Sequence, residues 1–188
     1  MNIFELHEDP IQCSIMHCDK HVVKMPTEYA QMLSTAHRLI DGEMYIGKSK
    51  TGRNVKRWKL NDDRENNIFL AAHTKHPDTV WVMETKSNYM KLFNLYKALL
   101  EEYTYRYGKI HGSSKPMKWL QRPPNNIKDS GLTSLPQCMP EYCKTNNVIS
   151  AYKNYYIKEK VRFATWKNRS VPLWFQKKDI MILSLIHI

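Results

Sequence analysis

The chain has 188 residues, a length typical of one domain, and hydrophobic residues make up 42% of it, enough for a core of ordinary size. It carries 29 lysines and arginines against 18 aspartates and glutamates. The resulting formal net charge of +11 favours a polyanionic partner such as nucleic acid. No apolar run approaches the roughly 20 residues that span a bilayer, and the acidic start lacks the features of a signal peptide. An acidic protein, a membrane surface and simple solubility are the alternative explanations of the charge.

The cysteines indicate a reducing compartment. They are Cys13, Cys18, Cys138 and Cys143, and no two of them form a C-x-x-C pair. In the absence of a secretory signal, this pattern predicts reduced thiols and a cytoplasmic location.

The first predicted elements are a short extended lead-in over residues 2–6 and one long helix over about residues 11–40. Apolar side chains recur at helical spacing throughout the second segment. Pro26 lies inside the pattern and is expected to kink or divide the helix. The pair Asp41 and Gly42 is expected to end it.

The next segment is ambiguous. Residues 43–67 are polar and basic, and they form either a mobile surface loop or a small hairpin that pairs residues 44–46 with 55–60. Residues 68–73 are predicted to begin a short helix. Residues 76–78 are typical of a turn that precedes the next helix.

The strongest helix prediction covers residues 80–107, where aromatic and aliphatic side chains follow i, i+3, i+4, i+7 spacing. Gly108 is a natural terminator. Residues 111–146 contain five prolines and predict a long loop wrapped on the core. A final helix is expected over residues 147–160.

Together these elements predict an all-α fold. It is a compact, single-domain helical bundle with long ordered loops over residues 1–175, and the hairpin in 43–60 is its one alternative β element. Residues 176–188 form a tail in this prediction. The last of them, 183–188, resemble a translated sequencing adaptor, so they are excluded from the fold prediction.

A polar stripe follows the first predicted helix. Seven polar residues fall within a sector of roughly 80° when each residue turns about 100°. They are Cys13, His17, His21, Lys24, Glu28, Gln31 and Thr35. His17 and His21, four residues apart, could ligate a metal with a nearby cysteine, although no H-E-x-x-H motif is present. Glu28 could instead act as an acid or base. In the structural alternative, the histidines are satisfied in the core and Glu28 pairs with Lys24 one turn away.

Two segments, 103–109 and 152–169, interleave aromatic rings with lysines and arginines. In nucleic-acid-binding proteins such rings stack on bases and the cations neutralise phosphates. Alternatively, the rings belong to the core and the charges to a solvated helix face, which we favour for Tyr103, Tyr107 and Tyr152. Residues 166–169, outside a regular helix, are open to both interpretations.

Four segments occur in a recognisable order. They are residues 1–7, the run 19–21 with Glu28 seven residues after it, residues 76–77 before the long helix that ends at 105–108, and the tyrosine-rich segment that leads to Trp166. Together they resemble the phage pyrimidine-dimer DNA glycosylase family over most of residues 1–175. Residues 17–25 also resemble a subgroup of uncharacterised phage proteins. The order of the segments carries the resemblance, since no single motif is highly specific.

The resemblance implies a helical enzyme that excises a damaged pyrimidine and then cuts the DNA backbone, with no cofactor and no metal. In that family the α-amine of the N-terminal residue attacks C1′ of the damaged nucleotide, a Schiff base forms, and β-elimination cleaves the strand. The essential carboxylate corresponds by position to Glu28. The expected partner is damaged double-stranded DNA, opened or flipped at the lesion. We expect a monomer that does not bind membranes, encoded by a phage and located in the host cytoplasm.

The chain departs from the family pattern at its start. Asn2 disfavours removal of the initiator Met1, whereas the family exposes its nucleophile by that removal. The amine is therefore Met1, Asn2 after unusual trimming, or Lys24 one turn from Glu28; otherwise the lyase chemistry is lost. The positions beside Glu28 also carry fewer arginines than the resemblance implies, which predicts weaker binding of DNA at this face.

The predicted catalytic residues are Glu28, Asn2, Met1, Lys24 and His21. The predicted nucleic-acid-binding residues are His17, Lys20, Arg38, Arg106, Lys109, Trp166, Lys167 and Arg169. Two other functions remain open at this stage. One is a phage DNA-modifying or nucleotide-processing enzyme that uses the same stripe in a closed pocket, and the other is a non-catalytic DNA-binding protein.

Overall fold

The structure is a computed structural model that describes residues 1–176. This part of the chain is mostly helical, as predicted. Its helices are α1 (Pro10–Met16), α2 (Asp19–Asp41), α3 (Arg64–Asn67), α4 (Pro77–Glu84), α5 (Lys86–Tyr107), α6 (Met117–Leu120), α7 (Val148–Tyr155) and α8 (Leu173–Gln176), and its strands are β1 (Glu43–Lys48) and β2 (Asn54–Lys59). Within residues 1–176, none of the helices is long and apolar enough to cross a bilayer. The segment 183–188 lies outside the described residues.

The core forms where α5 packs against α1, α2 and α4. Helix α2 contributes Val22, Tyr29 and Leu33, and α5 contributes Tyr96 and Leu99, all of them completely buried. The extended N-terminal segment also enters this core, since its apolar side chains are buried. These side chains are Ile3, Phe4 and Leu6.

The predicted helix over 11–40 is wrong as a single element, because the chain divides at His17 and Cys18. Both residues have extended backbone, with ψ of 136° and 160°. Helix α2 then continues through Pro26, where the sequence predicted a kink or a break. The division is set by a distant contact: the amide of Asp19 donates to the carbonyl of Thr165 at 2.8 Å, so the first residue of α2 is bound to the C-terminal segment.

The predicted helix over 80–107 is also two helices. Thr85 is extended (φ −143°, ψ 154°), and its hydroxyl caps α5 by accepting from the amide of Asn88 at 3.0 Å. The side chain of Asn88 donates back to the carbonyl of Trp81 at 2.8 Å, which joins α4 to α5. Gly108 ends α5 in the left-handed conformation (φ 63°), as predicted.

Residues 43–60 contain the hairpin. Strands β1 and β2 pair antiparallel, from Glu43 opposite Lys59 to Lys48 opposite Asn54. Gly42 connects the hairpin to α2 in a space that no side chain fits, because a Cβ there would lie 2.5 Å from the carbonyl oxygen of Arg38.

The short helix predicted over 68–73 is misplaced, since the helical turn here is α3. The backbone of residues 68–72 bonds to side chains of α2 instead of to itself. Phe69 N donates to Ser34 Oγ at 3.2 Å, Ala72 N donates to Thr35 Oγ1 at 3.1 Å, and Phe69 O accepts from Arg38 Nε at 2.7 Å. These side chains hold the segment extended.

The predicted long loop over 111–146 is present, and it contains one-turn 3-10 helices at Gly112–Ser114 and Glu141–Cys143 besides α6. The predicted last helix over 147–160 is present, although its final turn is not α-helical. Helix α7 passes into one π-helical turn at Tyr156–Lys160.

A buried charge network joins α1, α2, α5 and the C-terminal segment. The fully buried guanidinium of Arg106 donates to Glu102 Oε1 at 2.7 Å, to Asp19 Oδ1 at 2.9 Å and to the carbonyl of Ile15 at 2.9 Å. Arg169 donates to the second oxygen of Glu102 at 2.8 Å. Two guanidiniums therefore face two carboxylates, and the network is balanced in charge.

We expect the substitution Arg106→Ala to lower the free energy of unfolding by about 3–5 kcal/mol, because it leaves Glu102 buried with only half of its partners. Urea denaturation followed by circular dichroism measures this loss. The control is Lys97→Ala, which breaks an exposed pair with Glu101 and should cost less than about 1 kcal/mol. Equal losses in the two variants would contradict a structural role for the network.

Candidate active site

Glu28 lies on α2 with its carboxylate between two amines. Its side chain is 13% exposed, and Lys24 Nζ, mostly in solvent, lies 2.8 Å from Oε1. On the other side, the α-amine of Met1 lies 4.0 Å from Oε2, and the Met1 side chain is almost completely buried. Two of the three predicted nucleophilic amines therefore flank the predicted catalytic carboxylate.

The two residues after Met1 are held in place by a set of contacts that we call the N-terminal clamp, formed by Asn2, Ile3, Asp78 and Cys138. Ile3 N donates to Asp78 Oδ2 at 2.8 Å, and Asn2 Nδ2 donates to the carbonyl of Cys138 at 2.7 Å. The thiol of Cys138 donates to Asp78 Oδ1 at 3.1 Å, which closes the ring of contacts. The clamp fixes the residues that follow Met1 and so limits where its amine can move.

Burial controls the ionisation of the clamp. Burial raises the pKa of Asp78 to about 6, although the hydrogen bonds from Cys138 and Ile3 and the nearby Met1 ammonium oppose the rise. Burial, together with the neighbouring Asp78, raises the pKa of the Cys138 thiol to about 12. Burial, together with the Met1 ammonium, lowers the pKa of His76, which also senses the charge of Glu28. The Met1 ammonium therefore influences the ionisation of both His76 and Asp78, and the charge of Glu28 influences that of His76.

Ligand atoms of His76, Asp78 and Cys138 lie within 4.8 Å of one another, which is close enough to consider a metal ion. The contacts around them argue against a cation. Nδ1 of His76 accepts from the amide of Asp78, and both carboxylate oxygens of Asp78 already accept hydrogen bonds. The group also lies at the positive end of α4 and near the Met1 ammonium, both of which oppose a dication. We therefore assign Asp78 and Cys138 to the clamp, with His76 as the cap of α4 beside them.

His17 and His21 lie in an aromatic cluster with Phe4 and Tyr156. The ring of His21 is 4.3 Å from that of Phe4, and its Nδ1 is hydrogen-bonded to the Tyr156 hydroxyl at 2.5 Å. Desolvation lowers the pKa of His17 to about 4 and that of His21 to about 2, so both rings are uncharged at neutral pH. The placement fits core histidines, and a neutral, buried ring offers no charge to a phosphate.

The polar stripe is divided because α1 and α2 are separate helices. Cys13 lies on α1 and its thiol donates to the carbonyl of Phe4, while His17 ends α1 and its Nδ1 is hydrogen-bonded to the carbonyl of Cys13. Of the seven stripe residues, only those on α2 remain in helical register. Lys24 and Glu28 are the pair that meets at the N-terminus of the chain.

Three predicted DNA-binding residues are buried and occupied by the fold. Arg38 donates to backbone carbonyls and to Glu65, Arg106 belongs to the charge network, and Trp166 Nε1 donates to the carbonyl of Met16 at 3.0 Å. Because these side chains are buried and bonded within the fold, Arg38, Arg106 and Trp166 are not available to contact DNA.

Four other predicted DNA-binding residues reach the surface. Lys20 and Lys109 are exposed, as is Lys167, whose Nζ lies 5.2 Å from the centre of the Tyr107 ring. Arg169 is half-buried, stacks 3.8 Å from the centre of the Tyr105 ring and pairs with Glu102. The three lysines stay candidates for contacts with an anionic partner.

A large groove of about 850 Å³ lies between the N-terminal segment, α5, the loop at 132–135 and the start of α7. Ile3, Glu5 and Lys91 contribute to its wall, and Glu5 and Lys91 form an ion pair there. Glu28 does not line this groove. The carboxylate therefore lies outside the large groove.

Comparison with protein-family models, with curated proteins and with solved structures gives no match for this chain.

The pKa of Asp78 makes a stability prediction with a definite sign. The folded-state pKa of about 6 lies above the ordinary value of 3.8, so the contribution of this group is complete below about pH 3.8 and is lost as pH rises through 6. Asp78→Asn removes the titration. Relative to wild type, the variant should gain about 2 kcal/mol in free energy of unfolding between pH 4 and pH 7.

Urea denaturation at both pH values measures this gain. Asp129→Asn, at an exposed carboxylate, serves as the control and should show little change. A difference between Asp78→Asn and wild type that does not vary with pH would show that Asp78 is not desolvated in solution.

Proposed function

We propose that the protein is a DNA repair enzyme with DNA glycosylase and AP-lyase activity, acting on a damaged pyrimidine in double-stranded DNA. The observation that carries the proposal is the approach of the Met1 α-amine to Glu28 Oε2 at 4.0 Å. Helical spacing explains why Lys24 meets Glu28, but nothing local brings the first residue of a chain to residue 28. An amine beside a carboxylate is the pair that Schiff-base chemistry at a sugar requires.

The proposed reaction begins with an unprotonated amine. Its lone pair attacks C1′ of the damaged nucleotide, the bond from C1′ to the base breaks, and the base leaves with the bonding electrons and takes up a proton. The sugar ring then opens as O4′ is protonated, which leaves an imine between C1′ and the protein. Loss of a proton from C2′ expels the 3′ phosphate by β-elimination, and water hydrolyses the imine to release the free amine.

Glu28 has two tasks in this scheme. As a carboxylate it stabilises positive charge that develops at C1′ while the base departs. As a base it accepts the proton that the amine loses, and as an acid it returns a proton to O4′. Its small exposed fraction, 13%, favours both tasks, since a partly dry site strengthens the interaction with a developing cation.

Met1 and Lys24 compete for the role of nucleophile. An α-amine is deprotonated more readily at neutral pH than a lysine amine, which favours Met1. The clamp adds to this preference because it orders the backbone behind the Met1 amine, whereas the Lys24 side chain is 68% exposed. Asn2 could supply the amine only after Met1 is removed, and its side chain already donates to the carbonyl of Cys138.

The test is borohydride trapping on duplexes that carry a thymine dimer or an abasic site. Wild type should give a covalent protein–DNA adduct and a cleaved strand. The substitution Glu28→Gln should reduce both by at least about 100-fold, since general acid–base catalysis alone contributes about 10²–10⁴-fold. The matched control is Glu101→Gln, the carboxylate of an exposed i,i+4 pair with Lys97 on α5, which should trap like wild type.

An absence of adduct and of cleavage on both substrates would contradict the proposed glycosylase and AP-lyase activity. If DNA were still bound, a non-catalytic DNA-binding protein would take its place. Cleavage without a trapped adduct, lost in Glu28→Gln, would point to a modifying or processing enzyme that does not use an imine.

The identity of the amine is a separate prediction. Peptide mapping of the trapped adduct should find the DNA on Met1, and Lys24→Ala should still trap. Two residues added before Met1 should abolish trapping, because they move the amine away from Glu28. An adduct on Lys24, with trapping that survives the added residues, would assign the nucleophile to the lysine.

A further inference from the structure

The hairpin is strongly basic. Between residues 43 and 59 there are six cations and a single acidic residue, Glu43. We call this segment the basic ribbon. Its cations are Lys48, Lys50, Arg53, Lys56, Arg57 and Lys59.

The cations of the basic ribbon are not neutralised by the fold. Within residues 1–176, none of the six forms an ion pair, and the one polar partner among them is Asn54, which accepts from Lys48 Nζ at 2.7 Å. By contrast, three arginines outside the hairpin, Arg38, Arg64 and Arg106, pair with carboxylates. Six unpaired like charges on 17 residues repel one another. Binding of a polyanion to the ribbon would relieve this repulsion.

Exposed apolar side chains lie among these charges. Met44, Tyr45 and Ile46 are 54%, 47% and 59% exposed. In the strand register Tyr45 stands opposite Arg57 and Ile46 stands opposite Lys56, so two of the three exposed apolar side chains have a cation across the ribbon, whereas Met44 stands opposite Trp58. This mixture suits a DNA groove, whose walls are phosphates and whose floor carries base edges and thymine methyl groups.

The size and support of the ribbon suit the same partner. Two strands of six residues make a ribbon about 20 Å long, and the major groove of B-DNA, roughly 12 Å wide, admits a two-stranded ribbon. Within the described chain no third strand covers either edge. The base is fixed to α2, since buried Arg38 donates to the carbonyl of Trp58 at 2.9 Å and Gly42 packs against the carbonyls of Arg38 and Lys59.

We propose that the basic ribbon is a second DNA-binding element, which enters the major groove of a duplex at a distance from the Glu28 site. The identification of the polyanion as DNA rests on the proposed function; the ribbon as an anion-binding element does not. Residues 28 and 42 are separated by about 21 Å along the axis of α2, from a rise of 1.5 Å per residue. The ribbon therefore contacts DNA outside the lesion and binds damaged and undamaged duplexes alike.

Fluorescence anisotropy with a labelled, undamaged 25-base-pair DNA duplex tests the proposal, because it requires no catalysis. The variant is Lys50→Ala/Arg53→Ala/Lys56→Ala, in which all three side chains are exposed and the fold should persist. Loss of three phosphate contacts should lower the slope of log K against log salt by about 2–3 and weaken binding on the order of 100-fold at 0.1 M salt. The control, Lys97→Ala/Lys128→Ala/Lys144→Ala, removes the same net charge from exposed sites elsewhere and should change both quantities far less.

Equal slopes for the ribbon variant and wild type would overturn the proposal, and so would equal effects of the two triple variants. An RNA duplex of the same sequence should bind more weakly, because its major groove is too narrow for a ribbon; stronger RNA binding would overturn the groove assignment. Failure of the proposed function is distinguishable. If wild type fails to trap but the ribbon variant still lowers the salt slope, only the proposed function is rejected. If wild type traps but the ribbon variant leaves the salt slope unchanged, only the proposal for the ribbon is rejected.

Discussion

The arrangement of the candidate site depends on one buried carboxylate. Asp78, at the start of α4, accepts the amide of Ile3 and the thiol of Cys138, and it thereby holds the beginning of the chain against the loop that carries residue 138. Terminal residues are ordinarily the least ordered part of a domain. Here the apolar side chains that follow Met1 are buried, and a hydrogen-bonded carboxylate directs the backbone between them. The position of the terminal amine is therefore a property of the fold.

The rest of the site follows from the helix that faces this terminus. Helix α2 presents Glu28 to the amine and places Lys24 one turn earlier, so a single carboxylate is shared by two potential nucleophiles. His21 lies on the same helix, where Phe4 and Tyr156 contact it and desolvation keeps its imidazole neutral.

The sequence predicted what local spacing controls. The helical class, the Lys24–Glu28 pair and the end of α5 at Gly108 follow from periodicity and from residue preferences. The helix divisions at His17 and Thr85 were missed because apolar spacing continues across them, although Thr85 and Asn88 form a readable capping pair. The N-terminal clamp could not be predicted, since Asn2 and Cys138 are 136 residues apart. From sequence alone Arg106 was predicted to be a surface cation that contacts DNA. It is instead buried and pairs with Asp19, 87 residues away.

Helix α2 fixes the distance between Glu28 and the hairpin. Its last turn is locked to the hairpin through Arg38 and Gly42, and its middle carries Glu28, so the two cannot change their separation without unfolding part of a buried helix. A length of about 21 Å corresponds to about six base pairs of DNA at 3.4 Å each. Under the two proposals, and for a helix aligned with the DNA axis, a lesion closer to the end of a duplex than about six base pairs would leave the ribbon without a groove to occupy.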